Sequence, residues 1–188
     1  MKSELCIFDI ETTGSIFGYH EIIEIAVIRT NSTGNQILDK YESRIVPSYP
    51  ERITPVAQNL TGYKVEDWGS ACSSNFHLWS SLISLWRGCT PVCHNPSFER
   101  AFITLAAFEA GIQDLELDYH WVGTESLAWP LYQQGHLPKL SLACLSEYLG
   151  ADPEPLPHTA MNGAKACLQV YLRLMEIYAQ IRTIALRK

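Results

Sequence analysis

The sequence has 188 residues, of which 47% are hydrophobic and 18% are charged, a composition that excludes an intrinsically disordered chain. This length suits one domain with a sizeable core, so we expect a single domain over residues 1–188. The formal net charge of −6 argues against a broad basic surface for duplex DNA, because such surfaces bind phosphates through Lys and Arg.

Hydropathy and cysteine usage point to a cytoplasmic protein. No apolar run approaches the roughly 20 residues of a membrane span, and the first residues, MKSEL, lack the apolar region of a signal peptide. The six cysteines include no CxxC pair, so we expect buried free thiols. Cys89, Cys93 and His94 are a weak zinc signal, because no second ligand pair matches them.

The first half of the chain favours strands. Residues 2–9 predict a buried strand, residues 22–28 a second, and residues 36–46 a third that follows a polar turn at 31–35. Residues 47–62 contain three prolines and predict irregular structure.

Helices alternate with strands in the second half. Helices are expected at 72–86, from Asn95-Pro96 to about Gly111, at 126–133, at 140–148 and at 159–186. Short strands are expected at 90–93 and 119–122. This order of elements predicts an α/β domain with a mixed sheet.

Two carboxylates close the first predicted strand. Asp9 and Glu11 are two residues apart, so on a strand they point to the same face, near its carboxyl end. Two such charges repel each other unless they share a cation or a proton. The alternative for an isolated D-x-E spacing is a solvated strand end before a Thr-Thr-Gly turn.

Four segments in order resemble one enzyme family. FDIETTG at 8–14, followed by EIIEIAV, resembles motif I of the DnaQ-like, or DEDDh, exonucleases, and VPSYPERITPVAQNLTGY at 46–63 resembles their next loop. PVCHNPSFERAF at 91–102 resembles motif II, and LPHTAMNGAKACL at 156–168 resembles motif III. The resemblance covers residues 3–175 and implies a ribonuclease H-like fold, with a central mixed five-stranded sheet flanked by helices.

The resemblance implies phosphodiester hydrolysis, one nucleotide at a time from a 3′ end, with two Mg²⁺ or Mn²⁺ ions held by carboxylates. Asp9 and Glu11 match the first two ligands, and His158 matches the general base. Glu99 stands where motif II has aspartate, so a carboxylate remains but its reach changes. Its alternative role is that of a first-turn glutamate satisfying the helix dipole.

Position 163 departs further from the family. Motif III has an aspartate ligand five residues after the histidine, and here that residue is Gly163, which offers no ligand. Asn162 is adjacent but points about 100° away on a helix. Asp152 and Glu154, in the preceding loop, could reach the site instead.

The resemblance also implies residues that bind the terminal nucleotides. Thr12, Thr13 and Gly14 match the turn that holds the last nucleotide, and Asn95 matches the motif II asparagine, with helix capping as its alternative. Phe17 and Phe98 could stack on bases, or could simply pack in the core.

Two functions follow from the sequence. The first is a metal-dependent 3′–5′ exonuclease, with weakened activity, on single-stranded DNA or RNA. The second is a degenerate relative that binds nucleic acid 3′ ends or a protein partner without cleavage. The sequence leaves open a homodimer and a place in a larger nucleic-acid-processing complex, and it predicts no membrane association.

Overall fold

The structure is a computed structural model that describes residues 3–68, 71–152 and 154–185, with the backbone alone at 72–73 and 181–185. Two expectations lie outside the described side chains or residues: the thiol of Cys72 and the end of the last predicted helix at residue 186.

A mixed sheet forms the centre of the protein. Its strands are β1 (Leu5–Thr12), β2 (Ile22–Thr30), β3 (Ile37–Val46), β4 (Cys72–Ser73), β5 (Thr90–Cys93) and β6 (Val122–Gly123). They are arranged in the order β4-β3-β2-β1-β5-β6. β1, β2 and β3 pair antiparallel, whereas β5 lies parallel to β1 and β6 parallel to β5. The predicted mixed sheet is confirmed, and the two-residue β4 adds a short edge strand that the sequence had assigned to a helix.

The two central strands are covered on both faces, which explains their nearly continuous apolar sequences. One face, with Cys6, Phe8 and Ile10 from β1, packs against the tryptophans Trp79 and Trp86. Ile7 and Leu5, from the alternate positions, pack on the other face against the last helix. Burying each large apolar side chain contributes about 1.5–3 kcal/mol.

The described part of the chain forms six α-helices, which surround the sheet. They are α1 (Pro55–Thr61), α2 (Phe76–Trp86), α3 (Pro96–Glu109), α4 (Thr124–Gln133), α5 (Leu142–Leu149) and α6 (Ala160–Ala185). Two short 3₁₀ helices lie at Pro50–Arg52 and Val65–Trp68. None of the helices within the described residues is long and apolar enough to cross a membrane.

The structure corrects three predicted elements. Residues 47–62 are not irregular throughout, because α1 forms there with Thr54 as its N-cap and the left-handed Gly62 at its end. The helix predicted from residue 72 begins at Phe76, since the side chain of Asn75 accepts hydrogen bonds from the first turn. The strand predicted at 119–122 is reduced to Val122–Gly123.

Helix α1 connects two segments that the sequence matched to family motifs. The backbone N–H of Thr54, at its start, donates to the carbonyl of Thr13 over 2.8 Å. The carbonyl of Leu60, near its end, accepts a 2.8 Å hydrogen bond from the backbone N–H of His158. The short helix therefore holds the end of β1 and the loop before α6 in a fixed relation.

Candidate active site

Five carboxylates from four separate parts of the chain converge at the carboxyl end of β1. Asp9 and Glu11 come from β1, and Glu24 on β2 is the strand partner of Glu11. Glu99 lies in the first turn of α3, and Glu154 lies in the loop before α6. The sheet and the starts of two helices thus bring together groups that are far apart in sequence.

The pKa of Asp9 shows how crowded these charges are. Burial raises the pKa of Asp9 well above its usual value, and the charges of Glu11, Glu99, Glu154 and Glu24 raise it further. Burial, followed by the charges of Glu154 and Glu24, raises the pKa of Glu11 to about 8. Without a cation, the protein therefore holds protons on this cluster at a pH where carboxylates are normally ionised.

Glu24 belongs to this cluster although the sequence did not single it out. It is buried, and its Oε2 atom accepts a 3.4 Å hydrogen bond from the backbone N–H of Ala160 at the start of α6. Burial raises the pKa of Glu24, while this hydrogen bond lowers it. The signal available in the sequence was a charged residue inside the otherwise apolar run IIEIAVI.

Glu99, the motif II substitution, points into the protein and not to solvent. Only 4% of the residue is exposed, and its Oε2 atom is buried without a hydrogen-bond partner among the described residues. Burial raises the pKa of Glu99 to about 7, although hydrogen bonds from the backbone of Glu99 and Asn95 and from Cys93 lower it. A glutamate that merely satisfied the helix dipole would remain in water, so this placement favours a role in the cluster.

Gly163 lies directly against Asp9. A Cβ atom placed at position 163 would be 2.2 Å from Asp9 Oδ2 and 2.6 Å from its Cγ. The carboxylate of Asp9 therefore uses the space that any side chain at 163 would need. The loss of the family's aspartate at position 163 is therefore linked to the position of the Asp9 carboxylate.

His158 and Glu154 form a pair at the edge of the cluster. Glu154 Oε2 is 3.5 Å from His158 Nδ1, and the two side chains are 13% and 31% exposed. Atoms of Glu11, Glu154 and His158 that could bind a metal all lie within 4.8 Å of one another. Among the described residues this is the one group of three that meets such a criterion, and the weak zinc signal at Cys89, Cys93 and His94 does not.

The cysteines match the predicted free thiols wherever their side chains are described. Five are free, and all of them except Cys144 are buried: Cys6, Cys89, Cys93, Cys144 and Cys167.

The expected nucleotide-binding turn is buried and hydrogen-bonded, and the hydroxyls of its two threonines are already used. Thr12 Oγ1 donates to the carbonyl of Gly14 over 2.8 Å, and Thr13 Oγ1 accepts a 3.0 Å hydrogen bond from the N–H of Glu21. Both threonines are buried. At Gly14 a Cβ atom would be 2.6 Å from the ring of His20, so only glycine fits. The backbone N–H and carbonyl of Thr13 are also paired, with the carbonyl of Glu21 and the N–H of Thr54, so the turn has a defined shape beside the carboxylates.

The other binding candidates differ in how accessible they are. Phe17 is 55% exposed and meets the ring of Phe102 edge-on, whereas Phe98 packs beside Phe102 in the core. The side chain of Asn95 makes no capping hydrogen bond, which removes the alternative role considered for it. An open, mostly apolar groove of about 500 Å³ runs from Phe17 and Pro96 along α3 past Arg100.

Comparison with known proteins agrees with this geometry. The profile of the RNase T family, described as exonucleases, matches residues 6–171 and so includes every element from β1 into α6. The chain belongs to this exonuclease family. Its members are hydrolytic nucleases, and the DnaQ-like resemblance seen in the sequence is confirmed.

Relatives of the exonuclease chain include much larger proteins. This chain is 28% identical over 182 residues to a PolC-type DNA polymerase III of Caldanaerobacter subterraneus, and the match covers 96% of this chain and 12% of the relative. The chain spans about a tenth of the length of the curated PolC-type relatives, which include one from Listeria welshimeri at 8%.

Solved exonuclease structures share its fold. Escherichia coli exonuclease I in complex with a dT13 oligonucleotide has a TM-score of 0.77 at 16% identity, covering 96% of this chain and 44% of the other. The nuclease domain of 3′hExo, a DEDDh family member bound to rAMP, has a TM-score of 0.72 at 19% identity and covers 94% and 93%. The ribonuclease H-like fold is thereby confirmed.

Proposed function

We propose that this chain is a metal-dependent 3′–5′ exonuclease that removes nucleotides from the 3′ end of single-stranded DNA or RNA. The observation that supports this most directly is the convergence of Asp9, Glu11 and Glu99 at the positions matching the family's ligands. One oxygen of Glu99 is buried there without a hydrogen-bond partner among the described residues.

The donor set fits divalent cations. Carboxylate oxygens are the hard ligands that Mg²⁺ and Mn²⁺ require. Burial and mutual repulsion raise the pKa values of Asp9 and Glu11, an arrangement that a bound cation would relieve. We assign Asp9, Glu11 and Glu99 as ligands of Mg²⁺ or Mn²⁺.

Each assigned residue then has a distinct task. Cations held by Asp9, Glu11 and Glu99 would neutralise charge on the phosphate and lower the pKa of the attacking water. His158, half-buried beside the carboxylates, accepts the proton of the attacking water. The turn of Thr12, Thr13 and Gly14, together with the side chain of Asn95, which makes no capping hydrogen bond, orients the terminal nucleotide.

The substrate fits a single strand better than a duplex. The exposed ring of Phe17 can stack on a base, and the apolar groove beside it carries Arg100 for a phosphate. The protein's net charge of −6 gives little affinity for a long duplex backbone. The PolC-type relatives make DNA the first substrate to test, and the neighbour bound to rAMP makes RNA the second.

A labelled-strand assay tests this function. We expect a 5′-labelled single strand, incubated with the protein and Mg²⁺ or Mn²⁺, to give a ladder of strands shortened from the 3′ end. Asp9→Asn should slow cleavage by about a hundredfold or more, because losing a ligand removes several kcal/mol of metal-assisted stabilisation.

Asp39→Asn is the matched control, because it makes the same chemical change on the exposed strand β3 and should leave the ladder unaltered. A wild-type protein that gives no ladder with either ion and either nucleic acid would refute the proposal.

Position 163 favours a second candidate, a protein that binds 3′ ends without cutting. No carboxylate stands there, and Asp9 lies in the space that it would use. This function predicts retention of a labelled strand in a binding assay, without any ladder. Association with a protein partner or with a second copy of the chain stays a prediction.

A further inference from the structure

The geometry points to Glu154 as a metal ligand that takes the place of the carboxylate missing at position 163. This inference rests on the proposed function, because it concerns the same divalent cations. It gives the candidate site a fourth carboxylate ligand, supplied by the loop before α6 instead of by the helix itself.

The position of Glu154 supports this role. Its carboxylate lies within 4.8 Å of ligand atoms of both Glu11 and His158. Oε2 faces His158 Nδ1 at 3.5 Å, whereas Oε1 is buried and has no hydrogen-bond partner among the described residues. A carboxylate that only oriented the histidine would leave this second oxygen unpaired at a cost of about 1–3 kcal/mol.

A second carboxylate of the cluster gives an independent observation that favours a cation. Glu99 is 4% exposed, and its Oε2 atom is likewise buried without a partner in the part of the chain that is described. Asp9, against Gly163, lies among these carboxylates. Two unpaired buried oxygens, on two carboxylates whose charges both act on Asp9, are ligands that a divalent cation would satisfy.

The neighbouring acidic residue of the same loop is excluded as this ligand. Asp152 is exposed, and Oδ2 of its side chain accepts a hydrogen bond from Gln169 Nε2 over 3.3 Å. Its backbone N–H also donates to Gln169 Oε1 at 2.9 Å. Asp152 is thus held against the outer face of α6, and Glu154 is the acidic residue of this loop that reaches the cluster.

Titration with Mn²⁺, followed by electron paramagnetic resonance on the whole chain without nucleic acid, tests the inference. We expect Glu154→Gln to weaken Mn²⁺ binding by about tenfold or more, because a neutral amide replaces a charged ligand. Asp152→Asn, which removes an acidic group two residues away, should bind Mn²⁺ as the wild type does.

Thermal unfolding with EDTA separates a ligand from a structural residue. Glu154→Gln should melt no lower than the wild type in EDTA, since it removes one carboxylate that repels Asp9 and Glu11, and should gain less stability when Mn²⁺ is added. A lower melting temperature in EDTA with unchanged Mn²⁺ affinity would assign Glu154 a structural role and overturn the inference.

The remaining outcomes separate this inference from the proposed function. If the wild-type protein gives a ladder and Glu154→Gln binds Mn²⁺ as tightly as the wild type, the inference is overturned and the proposed exonuclease stands. Weakened affinity without any ladder in the wild-type protein supports the inference and refutes the exonuclease. A wild-type chain that binds no Mn²⁺ overturns both.

Discussion

The carboxylate of Asp9 fills the space that a side chain at position 163 would need. Asp9 matches its family motif and Gly163 departs from its own, so this contact links a retained motif position to an altered one. The carboxylate of Asp9 lies where a Cβ atom at 163 would be 2.2 Å away. A glycine inside a helix costs about 1 kcal/mol relative to alanine. Close approach of the Asp9 carboxylate explains why this position tolerates that cost.

Replacing Gly163 therefore has a steric effect on Asp9 and a chemical effect on metal binding, and two variants separate these effects. Gly163→Ala and Gly163→Asp introduce the same Cβ atom, but only aspartate adds a carboxylate. We expect Gly163→Ala to displace the Asp9 carboxylate and weaken Mn²⁺ binding by a factor of about ten, and Gly163→Asp to recover it. Isothermal titration measures both, and equal affinity of Gly163→Ala and the wild type would show that the contact does not constrain Asp9.

At the scale of elements, the short helix α1 organises the site without contributing a ligand. It forms because Thr54 caps its start by accepting a 3.1 Å hydrogen bond from the N–H of Ala57, and Gly62 ends it in a left-handed conformation. Its two backbone hydrogen bonds to Thr13 and His158 connect the end of β1 to the proposed base. Disturbing α1 should then affect catalysis more than its small size suggests.

Removing the cap tests this link. Thr54→Ala should lower the free energy of unfolding by about 1 kcal/mol and also slow cleavage, because α1 positions the loop of His158. Asn75→Ala is the control: Asn75 caps α2 through the N–H groups of His77 and Leu78, so its loss should cost similar stability. Urea unfolding and the ladder assay measure the two effects, and equal cleavage rates for both variants would contradict the coupling.

For the whole molecule, buried carboxylates make stability depend on pH and metal. In the metal-free fold the pKa of Glu11 is raised to about 8 and that of Glu99 to about 7, from 4.5. The folded chain then binds more protons than the unfolded chain between about pH 4.5 and 8. This contribution to stability is complete below the unfolded pKa and is lost as the pH rises through the folded values.

We expect the Tm in EDTA to fall by about 5 °C or more between pH 6 and pH 9. Saturating Mg²⁺ should reduce this fall in Tm, because the metal binds the deprotonated carboxylates. The stability that metal binding adds to the fold therefore grows with pH. Glu11→Gln removes one of the titrating groups and should flatten the profile in EDTA. Calorimetry at the two pH values checks each point, and a profile in Glu11→Gln as steep as that of the wild type would contradict the assignment.

Several features of the fold were predictable because they depend on local patterns. The buried strands β1 and β2 follow from apolar runs, and α3 follows from Asn95-Pro96 with helical spacing behind it. Helix α1 was not predicted, because the three prolines of residues 47–62 indicate irregular structure. Pro55 nevertheless stands in the first turn of this helix, where the missing N–H costs nothing. The two-residue β4 has no pattern of its own and forms only because β3 lies beside it.

Residue identity and order are enough to indicate the family, its motifs and the two departures at 99 and 163. The fold was needed to show that Glu99 points inward, that Glu24 and Glu154 join Asp9 and Glu11, and that Asp152 does not. The physical reason is that a carboxylate's position depends on the packing of a strand, a helix start and a loop far apart in sequence. Repulsion among charges appears only when the fold brings them within a few ångströms.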